Sequence, residues 1–401
     1  MRIAVVNNFF PPRVGGSAHL SDALAQAYAA AGHEVLILTA TYKDAPLEEV
    51  RGGCRVIRIP AWTIPKLGAI SFDIGYTLRP SLMRKVTKIL DEFRPDVIHQ
   101  HGQFFDLTWA SGLYARKRGI PALLSIHTRL ESPKKPLFSF VFRMADAMLV
   151  NPILRWYRPR LVVMDVHMDE YIHTRYRKAI GGLENIPVGV EPDWLLGGDR
   201  AKIRERHELG DAPVILSIGH VIPLRDRIQL VKALPRVLEK LPDTKLLVVG
   251  GVYYDAFLKL ADELGVRHAI VAPGAVPKSE IPDYVAAADL ECHELEPWGF
   301  GTASLEAMGA GCPVVAVVRP DNFPGIELKD REHLFLAPHN DEAALADALI
   351  EVLAHPEQAR QAVGTHGRQL VQDRFSMQQV VRQHLDVFAD MTSKKQMTRS
   401  K

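Results

Sequence analysis

Cysteine is scarce in this chain: Cys54, Cys292 and Cys312 are the three found among 401 residues. Three scattered thiols exclude a disulfide framework and a four-cysteine zinc site, and they fit buried side chains in a reducing compartment. No run of about 18 apolar residues occurs, so no membrane-spanning helix is expected. Arg2 leads directly into a strand-like run ending at Asn7 and Asn8, without a basic segment and apolar core, so a secretory leader is not expected either. The sequence holds no G-x-G-x-x-G, which excludes the dinucleotide-binding fingerprint, and no internal repeat. It also holds no Asp-x-Asp, which leaves a divalent ion on a diphosphate without obvious ligands. We therefore expect neither a metal nor a bound cofactor, and no nucleic-acid partner.

What is present is ordinary for a globular protein: 47% hydrophobic, 24% charged and 7% aromatic residues. Such a length exceeds what one core fills, so two domains of about 200 residues are expected. The net charge of +2 conceals an asymmetry. Residues 1–200 carry 26 Lys and Arg against 19 Asp and Glu, and the excess lies in residues 51–160, with 19 against 7. A basic first half beside an acidic second half suggests that the first meets something anionic.

Apolar β-rich runs alternate with amphipathic stretches. Ile3 to Val6, Val35 to Thr39, Val56 to Ile59, Val97 to His101, Leu123 to His127 and Leu161 to Val166 read as strands. Ser17 to Ala31 is the clearest helix, with Leu20, Leu24 and Ala27 at helical spacing and Gly32 as its stop. A second series follows the segment Ile186 to Asp199: Val214 to Gly219, Lys245 to Gly250, Ala269 to Val271, Leu290 to His293 and Pro313 to Val318. This pattern predicts an α/β protein of two doubly wound, Rossmann-like domains with ligands in the cleft at the carboxyl ends of their strands. The boundaries read as 1–190, 191–375, a helix over 376–390 folding back on the first domain, and a fraying basic tail over 391–401.

Three places carry chemistry. Gly15 and Gly16, between the first strand and the first helix, let backbone amides approach a phosphate. The segment Gly219-His220-Val221-Ile222-Pro223-Leu224-Arg225-Asp226-Arg227 again follows a strand, and Arg225 can hold a diphosphate bidentately. The corner from Trp298 through Gly299, Phe300, Gly301 and Thr302 to Glu306 joins a glycine turn, a helix N-terminus and one carboxylate. A carboxylate there can accept hydrogen bonds from the two hydroxyls of a ribose.

Taken in order, these segments resemble the family 4 glycosyltransferases of GT-B fold over nearly the whole chain. Gly32-His33-Glu34-Val35, Pro95 to His101, Ser125-Ile126-His127-Thr128, Ile186 to Glu191, Gly274-Ala275-Val276-Pro277 and Ala288-Asp289 complete the set. The resemblance implies a cytoplasmic enzyme that moves a sugar from a nucleotide-sugar donor to a hydroxyl acceptor with retention and without metal. It implies that Gly16 approaches the donor diphosphate, Arg225 neutralises it, Glu306 binds the ribose, Val276 lies near the base, and His127 stands beside the reaction centre. His19 and His101 fall on the acceptor side. Departures from the family pattern are Trp298 where a glutamate is usual, with Glu294 and Glu296 nearby, His220 at the usual Arg, and Arg225 at the usual Lys.

Lys134 to Arg143 and Arg155 to Arg160 interleave bases with bulky apolar residues, a pattern suited to an anionic membrane face. We expect residues 51–160 to meet the inner membrane surface and present a lipid-linked acceptor. The competing expectation makes Phe138, Phe140 and Phe142 core residues. Two other function classes remain open to the sequence: a sugar-nucleotide epimerase of the same fold, and a sugar-nucleotide binding protein without catalysis.

Overall fold

The computed structural model describes residues 1–13, 15–64, 74–129, 136–292 and 299–399. They divide into two compact units, Met1–Pro187 with Val380–Lys401, and Val188–Gln379.

In chain order the first unit has β1 (Arg2–Asn7), α1 (Gly16–Ala30), β2 (Glu34–Ala40), β3 (Glu48–Arg51), β4 (Cys54–Ile59), β5 (Trp62–Ile64) and β6 (Ile74–Tyr76). Then come α2 (Leu82–Phe93), β7 (Val97–His101), α3 (Asp106–Arg118), β8 (Ala122–Ser125), α4 (Pro136–Ala145), α5 (Asn151–Tyr157), β9 (Arg160–Val163), α6 (Val166–Arg175) and β10 (Gly182–Asn185). The main sheet runs β10-β9-β8-β7-β1-β2-β4-β3, parallel except for the antiparallel edge strand β3, while β5 and β6 form a separate antiparallel ribbon. Strands β1, β7 and β8 are buried nearly throughout, as a parallel sheet covered on both faces requires.

The second unit has α7 (Arg200–Arg206), β11 (Val214–Ile218), α8 (Ile228–Lys240), β12 (Lys245–Val249), α9 (Ala256–Glu263), β13 (Ile270–Gly274), α10 (Ile281–Ala287), β14 (Leu290–Cys292) and α11 (Thr302–Gly309). It continues with β15 (Val314–Ala316), β16 (Phe335–Leu336), α12 (Glu342–Ala354), α13 (Pro356–Ala359) and α14 (Thr365–Leu370). Its sheet, β13-β12-β11-β14-β15-β16, is wholly parallel. Period-two alternation splits its core: Leu246 and Val248 of β12 face one apolar cluster, Leu247 and Val249 the other. Each such side chain contributes about 1.5–3 kcal/mol on burial.

In both sheets the strand order reverses once, between β1 and β7 in the first and between β11 and β14 in the second. The carboxyl ends at these switch points are where open α/β sheets bind ligands. The helix α15 (Met377–Arg399) begins in the second unit and continues in the first, where His384 and Phe388 pack near Tyr28 of α1 and His99 of β7.

Several elements were not read from the sequence. Strands β3 and β10 lie at the two sheet edges, and their polar runs Glu48-Glu49-Val50-Arg51 and Gly182-Leu183-Glu184-Asn185 carry no buried face to read. The stretch 356–375 is helical throughout but holds two π turns, Arg360–Gly364 and Val371–Phe375. The sequence pattern ends the last helix at position 390. It runs to Arg399, since no Gly or Pro interrupts it and Met391 is still buried.

Candidate active site

At the switch point of the first sheet, alternation along β7 sends His99 and His101 to one face and Gln100 to the other. Gln100 is held there by Thr108, Ser111 and Tyr157. The β7–β8 register sets His101 opposite Ser125, so His127, two residues beyond, meets His101: its Nε2 lies 2.8 Å from His101 Nδ1, and the rings stack at 5.1 Å and 5°. His99 joins Tyr28 and Ser125 through its two nitrogens, at 3.2 and 2.9 Å, and its ring lies 5.1 Å from that of His384. Burial, reinforced by the neighbouring imidazoles, pushes His99 and His101 well below 6.5. His127 and His384 are both pushed down to about 4, mainly by burial. All four rings are neutral at neutral pH, so one proton is shared along the His101–His127 contact. The Nε2 of His101 is buried without a partner.

The glycine pair opens α1 on the same edge. Gly15 is extended, no side chain caps the helix, its first turn holds no acid, and a Cβ on either glycine would meet nothing within 4 Å. The uncapped N-terminus leaves amides available to an anion. His19 sits in the first turn and is exposed.

The second unit assembles its site along the carboxyl edge of β13, β12, β11 and β14. After β11, Gly219 and Arg225 belong to a loop held by the fully buried Arg227, which donates to the carbonyls of Gly219 at 3.0 Å and Arg225 at 2.8 Å. Gly250, after β12, has φ 148, and a Cβ there would stand 2.3 Å from the Gly219 carbonyl oxygen, so only glycine lets these two strand ends close up. Arg225 itself is half-buried, its pKa is lowered by that burial, and among the described residues its guanidinium has no hydrogen-bond or carboxylate partner. His220 accepts a hydrogen bond from the Gly251 amide at Nδ1, 3.0 Å away, which leaves Nε2 as the donor. Tyr253 lies edge-on to it at 5.4 Å.

Glu306 lies on α11, which starts at an uncapped Gly301 with no acid in its first turn and an exposed Thr302. Phe300, half-buried, packs edge-on against Phe323. At the far end of α11 a Cβ on Gly309 would stand 2.5 Å from Pro192, so this glycine lets the short helix Pro192–Leu195 press against α11. That contact brings Trp194 Nε1 to 3.4 Å from Glu306 Oε1, with Lys278 Nζ 4.6 Å from the indole centroid. Burial raises the Glu306 pKa, opposed by Trp194 and Lys278. Its second oxygen makes no hydrogen bond among the described residues. Val276, after β13, is half-buried against the core on this side of the sheet. Trp298, Glu294 and Glu296 lie outside the described residues.

Sequence reasoning gave no role to Trp194, Lys278, Arg227 or His384. Arg227 and Lys278 lie in loops that follow strand ends, but the contacts of all four come from tertiary packing. Asn322 was also missed as a candidate: it is 1% exposed, in the loop after β15, and neither of its amide atoms has a partner.

Two family models match the chain, the glycosyl transferase 4-like domain over residues 15–177 and the glycosyl transferases group 1 over residues 199–370. The chain is a family 4 glycosyltransferase of GT-B fold. It is 33% identical over 221 residues to a GDP-mannose-dependent α-(1-6)-phosphatidylinositol monomannoside mannosyltransferase of Mycolicibacterium smegmatis, a match spanning 52% of this chain and 57% of that one. The enzyme of the same name from Mycobacterium tuberculosis is 26% identical over 92% of this chain and 93% of its own. Among solved structures, the Anabaena HepE protein in complex with UDP aligns over 97% of this chain and all of its own at 17% identity, with a TM-score of 0.72, a likeness of fold. The glycosyltransferase thus transfers a sugar from a nucleotide sugar, and an epimerase reading is not favoured.

Proposed function

We propose that this glycosyltransferase is a retaining enzyme that transfers a hexose from a nucleoside diphosphate to a hydroxyl of a lipid-linked acceptor, working at a membrane surface without a metal. The observation that carries the donor assignment is the half-buried guanidinium of Arg225, which has no hydrogen-bond or carboxylate partner among the described residues. A desolvated cation without a carboxylate is costly, and a diphosphate is the partner that would offset the cost.

In this reading the second unit holds the donor. Glu306 accepts the ribose hydroxyls through its free oxygen while Trp194 orients the other, Val276 borders the base, and Arg225 with the amides before α11 meets the charge that develops on the leaving phosphate. The Nε2–H of His220 adds a neutral donor where the family has an arginine. In the first unit, considered by itself, His127 is neutral and its tautomer is set by His101. Retention follows from the family resemblance: the departing phosphate removes the acceptor proton on the face it leaves, with no covalent enzyme intermediate.

The lipid acceptor and the peripheral location rest on the exposed face of α4 and the following π turn. Leu137, Phe140, Val141, Met144 and Met148 recur at helical spacing and are exposed, as are Leu149 and Trp156 further along the chain. The expectation of a core role therefore fails for Phe140, while Phe142 packs edge-on against Phe104 and Phe138 is not described. A face of this kind, with Arg143 on the same helix, suits an anionic leaflet. The named acceptor of the mycobacterial relatives is likewise a lipid. No helix of the described residues is long and apolar enough to cross a membrane.

A panel of UDP-, GDP- and dTDP-sugars, beginning with GDP-mannose, tests the assignment. Slow release of the nucleotide with sugar of retained configuration supports it. An isomerised sugar, or binding without turnover, would overturn it.

A further inference from the structure

Beside the apolar face of α4 lies a cavity of about 600 Å³, within the range of ligand pockets, that the transfer reaction leaves unused. Arg129, Arg143, Asp146, Asn151, His167 and Arg175 line it. Its charges are not mutually satisfied. Asp146 is taken by Tyr171, Tyr176 and Arg175. Arg129 and Arg143 have no hydrogen-bond or ionic partner among the described residues, and Glu170 is the one further acid on the lining. Asn151 donates to the Arg175 carbonyl while its Oδ1 is buried without a partner, so it has acceptor capacity left for a ligand hydroxyl. The chain is wound as a π turn over Asp146–Val150, the insertion that sets Asp146 and Asn151 on the cavity wall. Such turns mark functional sites more often than chance.

We infer that this cavity is a binding site for the phosphate-bearing, polyhydroxylated headgroup of an anionic membrane lipid, with Arg129 and Arg143 as the phosphate ligands and Asn151 meeting a headgroup hydroxyl. The argument for a lipid is continuity. Arg143 lies on α4 between Val141 and Met144, two members of the exposed apolar stripe, so a headgroup in the cavity would belong to a lipid whose chains lie along that stripe. The site thus gives the membrane surface a chemical identity, and it rests on the peripheral-membrane reading above.

The test uses the full chain and three proteins: wild type, the double variant R129Q/R143Q, and M148D on the apolar stripe. Binding is measured by flotation with phosphatidylcholine vesicles and with the same vesicles carrying a minor fraction of phosphatidylinositol. The wild type should prefer the phosphatidylinositol vesicles, and R129Q/R143Q should lose about thirtyfold of binding to them while keeping its binding to phosphatidylcholine. R129K/R143K should restore part of the preference, and thermal unfolding should be unchanged. M148D should weaken binding to both vesicles. If wild type binds neither vesicle, the membrane reading itself fails. If wild type prefers phosphatidylinositol and R129Q/R143Q does so equally, the headgroup site alone is refuted. Soluble inositol 1-phosphate binding as tightly as the vesicles would assign the cavity to a free phosphoester and overturn the lipid.

Discussion

Acidification should destabilise the first unit steeply, and one histidine should account for a measurable share. His99, His101, His127 and His384 are all held neutral, the latter two at about 4 against an ordinary 6.5. A lowered folded value means that below 6.5 the unfolded chain binds protons that the folded chain refuses, so stability falls as pH falls. Between about pH 7 and pH 5.5 each such group contributes a loss on the order of 1 kcal/mol, so that the cluster costs a sizeable share of the stability of a typical domain. His384→Leu removes one of them from a site where it contacts Tyr28, His99 and Phe388. Whatever the substitution costs at pH 7, its loss on acidification should be smaller than the wild type's by on the order of 1 kcal/mol. Urea unfolding followed by circular dichroism at the two pH values measures this. Equal losses in wild type and His384→Leu would show that the cluster titrates normally, and the reasoning from burial would be wrong.

Other consequences follow from the site. Arg225→Ala should lower turnover by about a hundredfold or more, the usual cost of removing one preorganised charge-stabilising group, measured as steady-state donor consumption. Glu306→Gln should act mainly on donor KM, and Trp194→Phe should raise that KM in the same direction by a smaller factor, because the indole acts through Glu306. Donor binding should weaken as pH falls into the raised range of Glu306, since the protonated acid loses acceptor capacity, and calorimetric titration with nucleoside diphosphate would show it. The rate should be insensitive to His127 ionisation between about pH 6 and 8 and fall toward about 4, where the imidazole protonates.

The sequence displayed those parts of the protein in which one short segment carries its own physical signature. Buried parallel strands read as apolar runs, and uncapped helix starts read as glycines followed by a helical pattern. The loop from Gly219 to Arg225 and the corner before Glu306 were legible for this reason. Edge strands β3 and β10 were not, because half of their surroundings are solvent and their residues need not be apolar. Trp194 was illegible for a different reason: its partner Glu306 is 112 positions away, and only the glycine at 309 brings the two elements together.

The histidine cluster shows what long-range assembly adds to residues that the sequence singles out one at a time. His127 stood out at a strand end, and His101 at the end of another, yet neither position announces that the rings stack with a shared proton. That follows from the β7–β8 register, which a shift by one residue would destroy by turning His101 to the opposite face. Behind them His99 and His384 form a second layer, and His384 arrives from the far end of the chain on α15. Burying four imidazoles together has a physical cost that an apolar set would not carry. What it secures is a neutral, oriented His127 at physiological pH, because each neighbouring ring and each desolvated contact disfavours the imidazolium. Substituting His101 by glutamine keeps a hydrogen-bonding group of similar reach, whereas leucine removes it. If His101 acts by fixing the His127 tautomer, glutamine should preserve turnover far better than leucine at equal fold stability, and similar losses in both would reduce His101 to a packing residue.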